Sequence, residues 1–521
     1  MKSVCSEKVP VPIGLVGTLG FLGLASLFRD FVLDDAFIIY RYAQHLAHGQ
    51  GLVWNVGEAP VQGYTSFLWV ALNALGILLH VDPVIFSKLL SLLAAVAVIW
   101  LLTWSSRDLP WSLAAILVAA VALSPPFAFL SMQGLETALT TLLNLGTAVL
   151  AFKIVEHPGA RRMVFGFGLA FLAAWSRPDT IAFSGGVLMG LALVFLVRRE
   201  LKILRFFSLT GTFFAALGVL YLVWEAGYFG SLLPTTYYVK LNWSRSLLKR
   251  AALEYGFSFF KLVLWPYLAL ALLLLKARFT RDFGFQAAPV AAGLLCFGLY
   301  LLTVYPLQGH LWRFIFPVFP VILFLLAKGF ADLKPEISWL KKPWLAALLV
   351  GLCAGWSLHL LPAAQEEQII RIQEDRVLAG QALAGLPGTM LVSESGALPY
   401  YSGWKALDTF GLSSAVVARR GLNQQVLNSL NPDLIMLVDL SGKYRPDAPL
   451  EKIINSYLLE RRFIAVAALH KSRGVYHFYF ARPDSGLFQE IVKRLTHISG
   501  VEYGDLASLL TVKEIPVYSR P

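Results

Sequence analysis

The chain has 521 residues, of which 57% are hydrophobic and only 15% are charged, and its mean hydropathy is +0.64. Because about 25% of the residues of soluble domains are charged, this composition excludes a soluble globular protein. The net charge of +12 lies almost entirely before residue 362, where 27 Lys and Arg face 16 Asp and Glu, whereas residues 362–521 have 17 against 16. We therefore attribute the basic charge to membrane topology and not to nucleic-acid binding.

Apolar stretches recur up to Leu361, each close to the ~20 residues that a helix needs to cross a bilayer. Residues 65–80 are short for a crossing, and whether they cross inverts the topology of everything after them. Without that crossing 17 Lys and Arg lie inside and 10 outside, and with it the numbers reverse. Because cytoplasmic loops carry the excess of Lys and Arg, we predict that 65–80 is re-entrant or interfacial. The hydropathy then predicts eleven spans, with the N-terminus inside, near 11–28, 84–104, 110–124, 136–155, 162–176, 179–197, 205–225, 257–276, 286–304, 312–330 and 343–361.

This topology divides the chain into a membrane domain, residues 1–361, and an exterior domain, residues 362–521. The loops assigned to the inside are brief and basic, as connectors are, so we expect any chemistry on the outer face. The first exterior loop, 29–80, contains both acidic and aromatic residues.

Residues 362–521, which we call the tail, lack long apolar stretches and are predicted to form a small α/β domain. Runs rich in β-branched and aromatic residues predict strands, and the segments between turn residues predict helices. The expected strands are 389–393, 434–438, 463–467 and 476–480, and the expected helices are 366–384 and 448–460.

Two adjacent carboxylates, Asp34 and Asp35, follow the first span. Neighbouring acids at a membrane surface repel each other and lose solvation, so they need a cation, a hydrogen-bond network or a proton. Such a pair suits metal binding or base catalysis. An acidic helix start explains the same residues equally well.

Further charges lie at the ends of predicted spans. Glu136 opens a span, where a carboxylate is costly unless it faces a wet cavity or a partner. Arg177 and Asp179 flank a proline and can pair with each other, so a structural pair is as good an interpretation as a functional one. Lys240 and Arg313 are cations on the outer side and so oppose the positive-inside trend. Either binding to a lipid phosphate or contact with ordinary lipid headgroups explains their position.

Together and in this order, these residues resemble the GT-C superfamily of membrane glycosyltransferases, which use polyprenyl-phosphate-linked sugars. The exterior motif that begins at Asp34 and continues through Arg41 to Tyr64 is similar to that of the actinobacterial terminal arabinofuranosyltransferases. The similarity extends to residues 134–137, 177–179, 234–240, 313–314 and 395–412.

The resemblance implies a GT-C fold and an inverting transfer of a monosaccharide from a polyprenyl-phosphate donor to a cell-envelope glycan or other acceptor. It implies that Asp34 or Asp35 is the general base, with Asp34 favoured, that the other acid orients it or helps to hold a divalent cation, Mg or Mn, and that Glu136 faces the same cavity. It also implies a set of substrate-binding residues: Arg41, Tyr64, Arg177, Asp179, Lys240, His310 and Arg313.

The resemblance further implies a multi-pass protein of the bacterial inner membrane with its active site on the periplasmic side. No nucleotide cofactor is expected, because the donor is already activated and the sequence has no Walker-type motif. Two positions depart from the subgroup's pattern, Gln62 where Glu is expected and Ser413 where Asp is expected, and both bear on acceptor recognition. A flippase for lipid-linked sugars is the alternative, although transporters usually show internal repeats that this chain lacks.

Overall fold

The computed structural model describes residues 11–241, 245–272, 279–303, 309–332, 343–371, 373–439, 441–472 and 474–518. Up to residue 358 the described chain is helical. Its α-helices are Val11–Ser26, Asp34–Ala47, Phe67–Leu78, Pro83–Ser105, Trp111–Ala122, Pro125–Met132, Thr137–Glu156, Ala160–Ser176, Thr180–Val197, Leu201–Phe229, Thr235–Leu241, Arg245–Phe259, Trp265–Leu272, Arg281–Leu301, Phe319–Asp332 and Pro343–Leu358. Shorter turns of other helix types occupy Phe260–Leu264, His310–Trp312 and Phe316–Val318.

Within the described residues, seven helical stretches are long and apolar enough to cross a membrane, and an eighth is formed if the bent pair Trp111–Ala122 and Pro125–Met132 is one span. The other three predicted spans coincide with helices that are shorter or interrupted, at Val11–Ser26, Ala160–Ser176 and around residues 257–272. The chain is therefore an integral membrane protein by length and composition of its helices. Phe67–Leu78, in the stretch predicted not to cross, has only 12 residues.

The tail contains one five-stranded sheet. Its strands are β1 Thr389–Val392, β2 Lys405–Asp408, β3 Leu434–Asp439, β4 Ile464–Ser472 and β5 Val475–Ala481, in the order β2-β1-β3-β5-β4. Strands β1, β2 and β3 are parallel, whereas β5 pairs antiparallel with β3 and β4. The tail helices are Leu361–Ile370, Glu374–Leu383, Ala397–Ser402, Ala415–Arg420, Gln424–Leu430, Pro449–Glu460, Phe488–Leu495 and Leu506–Leu509.

The predicted α/β tail is confirmed, with differences in detail. All four predicted strands are present, but β2 was missed because its four residues, from Lys405 to Asp408, alternate too briefly to indicate a strand. The segment 366–384, predicted as one helix, contains two: the first ends at Ile370 and the second begins at Glu374. The domain boundary after Leu361 remains a prediction.

The tail packs on the first exterior segment through buried polar contacts. Arg41 donates to the backbone oxygen of Trp54 in its own segment, at 2.8 Å, and to those of Pro399 and Trp404 in the tail, at 2.5 and 2.8 Å. Asn55 accepts a hydrogen bond from the Ala406 N–H, at 3.0 Å. These hydrogen bonds join the exterior segment to the tail and place the tail next to the predicted acidic residues.

Candidate active site

A tight turn at residues 133–136 fixes the start of the helix Asp34–Ala47 beside Glu136. Gly134 has φ +86°, and a side chain at this position would collide with the Tyr40 hydroxyl, so the turn requires glycine. The Leu33 N–H donates to the Gln133 oxygen at 3.0 Å. Asp34 and Asp35 therefore lie close to Glu136, although about 100 residues separate them along the chain.

Asp34 and Asp35 face different parts of the protein, because successive residues of an α-helix differ in direction by about 100°. The Asp34 carboxylate accepts from the Gly396 N–H at 2.8 Å and from the Ala397 N–H at 3.0 Å, both in the tail. The Asp35 carboxylate lies 3.3 Å from Arg313 Nη1, on the membrane domain. The two acids thus belong to separate ionic groups.

The first group, which we call the Arg177 cluster, joins five of the predicted site residues. The buried Arg177 guanidinium donates to both oxygens of Asp179, at 3.0 and 2.7 Å, and lies 3.9 Å from Glu136 Oε1. Its Nη1 also donates to the backbone oxygen of Arg313, at 3.3 Å. The cluster consists of Asp35, Glu136, Arg177, Asp179 and Arg313.

Strained backbone places Arg313 in this cluster. Leu311 and Trp312 have φ of +46° and +58°, a conformation that costs side-chain-bearing residues about 1–3 kcal/mol each and is concentrated at functional sites. The preceding His310 is buried, and its Nε2 lies 3.2 Å from Gln133 Oε1. The turn at Gln133 therefore holds both the helix that carries the acids and the segment that carries Arg313.

Two polar atoms of the Arg177 cluster are buried without a hydrogen bond among the described residues. They are the acceptor Glu136 Oε2 and the donor Arg313 Nε. An unsatisfied buried polar group costs about 1–3 kcal/mol. The cluster can thus accept a hydrogen bond from a hydroxyl group and donate one to an anion.

The second group, the Arg376 network, lies between Asp34 and the tail sheet. Arg376 is almost completely buried; it contacts Glu394, which follows β1, and lies 3.4 Å from Asp34 Oδ1. His477 on β5 lies 2.5 Å from Asp375 Oδ2 and 2.8 Å from Glu394 Oε2. Lys471 Nζ lies 2.6 Å from Glu394 Oε1. The network consists of Asp34, Asp375, Arg376, Glu394, Lys471 and His477.

Burial and neighbouring charges shift the pKa values in this network. Burial raises the pKa of Asp34 above its ordinary value, although Arg376 acts to lower it. Burial alone would also raise the pKa of Glu394, but Arg376 and His477 outweigh it and hold that pKa well below the ordinary value. Burial alone would lower the pKa of His477, but Asp375 and the hydrogen bonds to both acids raise it. The network thus sets three acidic groups against Arg376, Lys471 and His477.

Apart from His310, three predicted binding residues lie outside both groups or cannot be placed. Arg41 donates to the exterior segment and the tail as described above, so its donors are engaged in joining them. Tyr64 is buried, with its ring 4.9 Å from that of Tyr42. Lys240 is in the helix Thr235–Leu241, but its side chain lies outside the described residues. Their substrate-binding roles remain predictions.

The two departures from the subgroup's pattern each lie beside a buried carboxylate. Gln62 donates to Glu225, and Ser413 donates to Asp408 through its backbone N–H, at 2.5 Å, and through its hydroxyl, at 2.9 Å. An acid at either position would face a second carboxylate in a buried place. Gln62 also lines a small crevice, whose other lining residues include Tyr238 and Arg419.

The placement of the acids does not fit a metal ion held by Asp34 and Asp35 together. Each carboxylate contacts a different guanidinium, and among the described residues no three His, Cys, Asp or Glu side chains are grouped so that they could hold a metal ion. A requirement for a divalent cation remains a prediction that chelation can test.

Sequence reasoning missed the Arg376 network. The resemblance included residues 395–412, and therefore Gly396 and Ala397, but nothing in the local pattern indicated that their N–H groups bind Asp34. Arg376 and His477 are an ordinary helical arginine and an ordinary strand histidine in the sequence. Only the fold shows that Arg376 is buried beside Asp34, more than 300 residues away, and that His477 is buried between Asp375 and Glu394.

Comparisons with known proteins bear on the fold. Residues 364–481 match the model of a domain of unknown function, DUF8728. A sequence search of the curated proteins found no match.

Among solved structures, the chain is similar to ArnT from Cupriavidus metallidurans bound to undecaprenyl phosphate, with 13% identity, coverage of 91% of this chain and 99% of that one, and a TM-score of 0.60. The apo state of the same protein is 14% identical, with 91% and 97% of the chains covered and a TM-score of 0.47. The similarity to the lipid-bound ArnT confirms the fold class predicted from the sequence. The chain has the GT-C fold of helical membrane proteins, followed by a C-terminal α/β domain.

Proposed function

We propose that the protein is a membrane glycosyltransferase that transfers a monosaccharide from a polyprenyl-phosphate donor to a cell-envelope glycan or other acceptor. The observation that carries this proposal is the Arg177 cluster, in which a buried donor, Arg313 Nε, and a buried acceptor, Glu136 Oε2, lack hydrogen-bond partners among the described residues. A lipid-phosphate sugar offers both complements, phosphate oxygens and sugar hydroxyls. The similar ArnT structure, with undecaprenyl phosphate bound, supports this class of donor.

Asp35 is the better candidate for the general base. Both Asp34 oxygens accept backbone N–H groups from the tail and one also contacts Arg376, whereas Asp35 lies in the Arg177 cluster beside Arg313. A base must reach the proton that it removes. We therefore assign the base role to Asp35 and an orienting role to Asp34, which reverses the preference drawn from the resemblance.

The proposed transfer requires one displacement. The acceptor hydroxyl attacks the anomeric carbon opposite the lipid phosphate, its proton passes to Asp35, and the bond between the anomeric carbon and the phosphate oxygen breaks. The phosphate leaves with that electron pair, and its charge is stabilised by Arg313. Arg177, held by both oxygens of Asp179, fixes the Arg313 backbone and keeps Glu136 in place for a sugar hydroxyl. The configuration at the anomeric carbon inverts.

We further propose that the site and the tail lie on the periplasmic side of a bacterial inner membrane. The excess of Lys and Arg in the loops assigned to the other side supports this orientation. Reporter fusions after residues 64 and 361 test it. Cytoplasmic reporter activity at both points would contradict the proposal, because the acids and the tail would then face the cytosol.

We also propose the identity of the transferred sugar, which is arabinofuranose or a related sugar. The exterior motif's similarity to terminal arabinofuranosyltransferases supports an arabinofuranosyl or related donor. Mass spectrometry of envelope glycans from a strain that lacks the gene tests this, and the sugar missing from the glycan identifies the transferred residue.

A transfer assay with purified protein tests the function itself. The protein is reconstituted in lipid nanodiscs with a radiolabelled polyprenyl-phosphate sugar and envelope glycan as acceptor. A new labelled glycosidic bond is expected. Movement of the labelled lipid across a proteoliposome membrane without bond formation would instead support the flippase alternative.

A further inference from the structure

The tail surrounds Asp34 with three donor groups. Asp34 Oδ2 accepts from Gly396, and Oδ1 accepts from Ala397 and contacts Arg376. All of these donors follow or flank the carboxyl end of β1, the edge at which parallel sheets usually bind their ligands. Here that edge is occupied by a side chain of the membrane domain.

The fit at this edge is close. A side chain at Gly396 would overlap the backbone oxygen and carboxyl carbon of Asp34, so only glycine allows the contact. Arg376 is held in turn by Glu394, and Glu394 by His477 and Lys471. The position of the Asp34 carboxylate is therefore set by a chain of buried ionic contacts that ends in the sheet.

Asp34 and Asp35 form the first turn of one helix, Asp34–Ala47. Because their directions are fixed relative to each other by helix geometry, a constraint on the Asp34 carboxylate also constrains where Asp35 lies. We propose that Arg376 is a positioning residue for the transfer reaction: it holds Asp34 and thereby sets Asp35 against Arg313. This inference rests on the proposed function and assigns the tail a direct part in building the active site.

Arg376→Met tests the proposal, with Arg482→Met as its matched control. Arg482 is also a largely buried tail arginine, and it pairs with Asp433 at 3.2 Å at the start of β3, on the opposite edge of the same sheet. Because a displacement of about 1 Å can cost about 100-fold in rate, we expect kcat to fall about 100-fold in Arg376→Met, with a much smaller change in the KM for the donor. Arg482→Met should retain the wild-type kcat.

Gly396→Ala disturbs the same contact from the other side without removing a charge. It should lower kcat as Arg376→Met does, and Arg376→Lys should recover part of the loss because it keeps the charge. In a double-mutant cycle, Asp34→Asn combined with Arg376→Met should be no slower than the slower single variant. Wild-type kcat in Arg376→Met or Gly396→Ala, an equal loss in Arg482→Met, or a double variant whose loss is the product of the single losses would overturn the proposal.

Hydrogen exchange separates this inference from the proposed function. Exchange in the helix Asp34–Ala47 should increase in Arg376→Met and in Gly396→Ala but not in Arg482→Met, whether or not the protein transfers sugar. If the wild-type protein forms no glycosidic bond, the proposed function fails while this measurement still reports whether the tail holds the helix. Unchanged exchange in both variants would contradict the inference even in an active enzyme.

Discussion

The substitution Asp35→Asn distinguishes the roles of the two adjacent acids, Asp34 and Asp35. The substitution keeps the size and shape of the side chain but removes its charge and its ability to take a proton. If Asp35 is the general base, kcat should fall by about 10²–10⁴-fold, the usual contribution of such a group. This corresponds to about 3–5 kcal/mol of lost transition-state stabilisation.

The same substitution should leave the protein folded. The Asp35 side chain is 24% exposed, and it pairs with Arg313 at 3.3 Å. Ion pairs with such exposure contribute up to about 1 kcal/mol. The asparagine oxygen can still accept from Arg313, so the thermal unfolding temperature should change little.

Asp34→Asn should behave differently. Asp34 accepts from two backbone N–H groups and contacts Arg376, so the NH2 group of an asparagine would face a donor, and an unsatisfied buried donor costs about 1–3 kcal/mol. We therefore expect the Asn variant to lose thermal stability together with activity. The resemblance by itself predicts loss of transfer with folding and lipid binding intact.

Initial transfer rates and unfolding temperatures of both variants, measured in the same nanodiscs, decide between these outcomes. Near wild-type turnover in Asp35→Asn would refute its role as the base. An inactive Asp34→Asn protein with wild-type stability would return that role to Asp34.

Three further predictions use the same preparations. The pKa of His477 is raised in the folded state. The contribution of His477 to tail stability is therefore fully present below its ordinary pKa of 6.5 and is lost as the pH rises through the raised value. His477→Gln should remove this decrease in the thermal unfolding temperature with rising pH. Gln62→Glu should destabilise the protein by about 1–3 kcal/mol, because it sets a second carboxylate against Glu225, whereas Gln62→Met, which loses the hydrogen bond without adding charge, should cost less. Transfer should persist in EDTA, because Asp34 and Asp35 each contact a guanidinium; loss of activity restored by Mg or Mn would instead support the cation hypothesis.

The sequence predicted the membrane domain because hydropathy depends on composition over about 20 residues, which needs no tertiary information. It also predicted the importance of Glu136, Arg177 and Asp179 from the cost of placing charges at the ends of apolar helices. The structure brings these three together with Asp35 and Arg313. Their catalytic and binding roles remain predictions.

The sequence could not decide which of two neighbouring acids faces the tail. That choice depends on the rotation of one short helix, which a glycine turn at residue 134 and contacts with Gly396 and Arg376 determine. Such contacts join residues more than 300 positions apart and leave no periodic trace along the chain. Composition and charge patterning therefore determined that this is a membrane protein with acids at the ends of its helices, whereas only the packing of the tail against the membrane domain decided the partner of each acid.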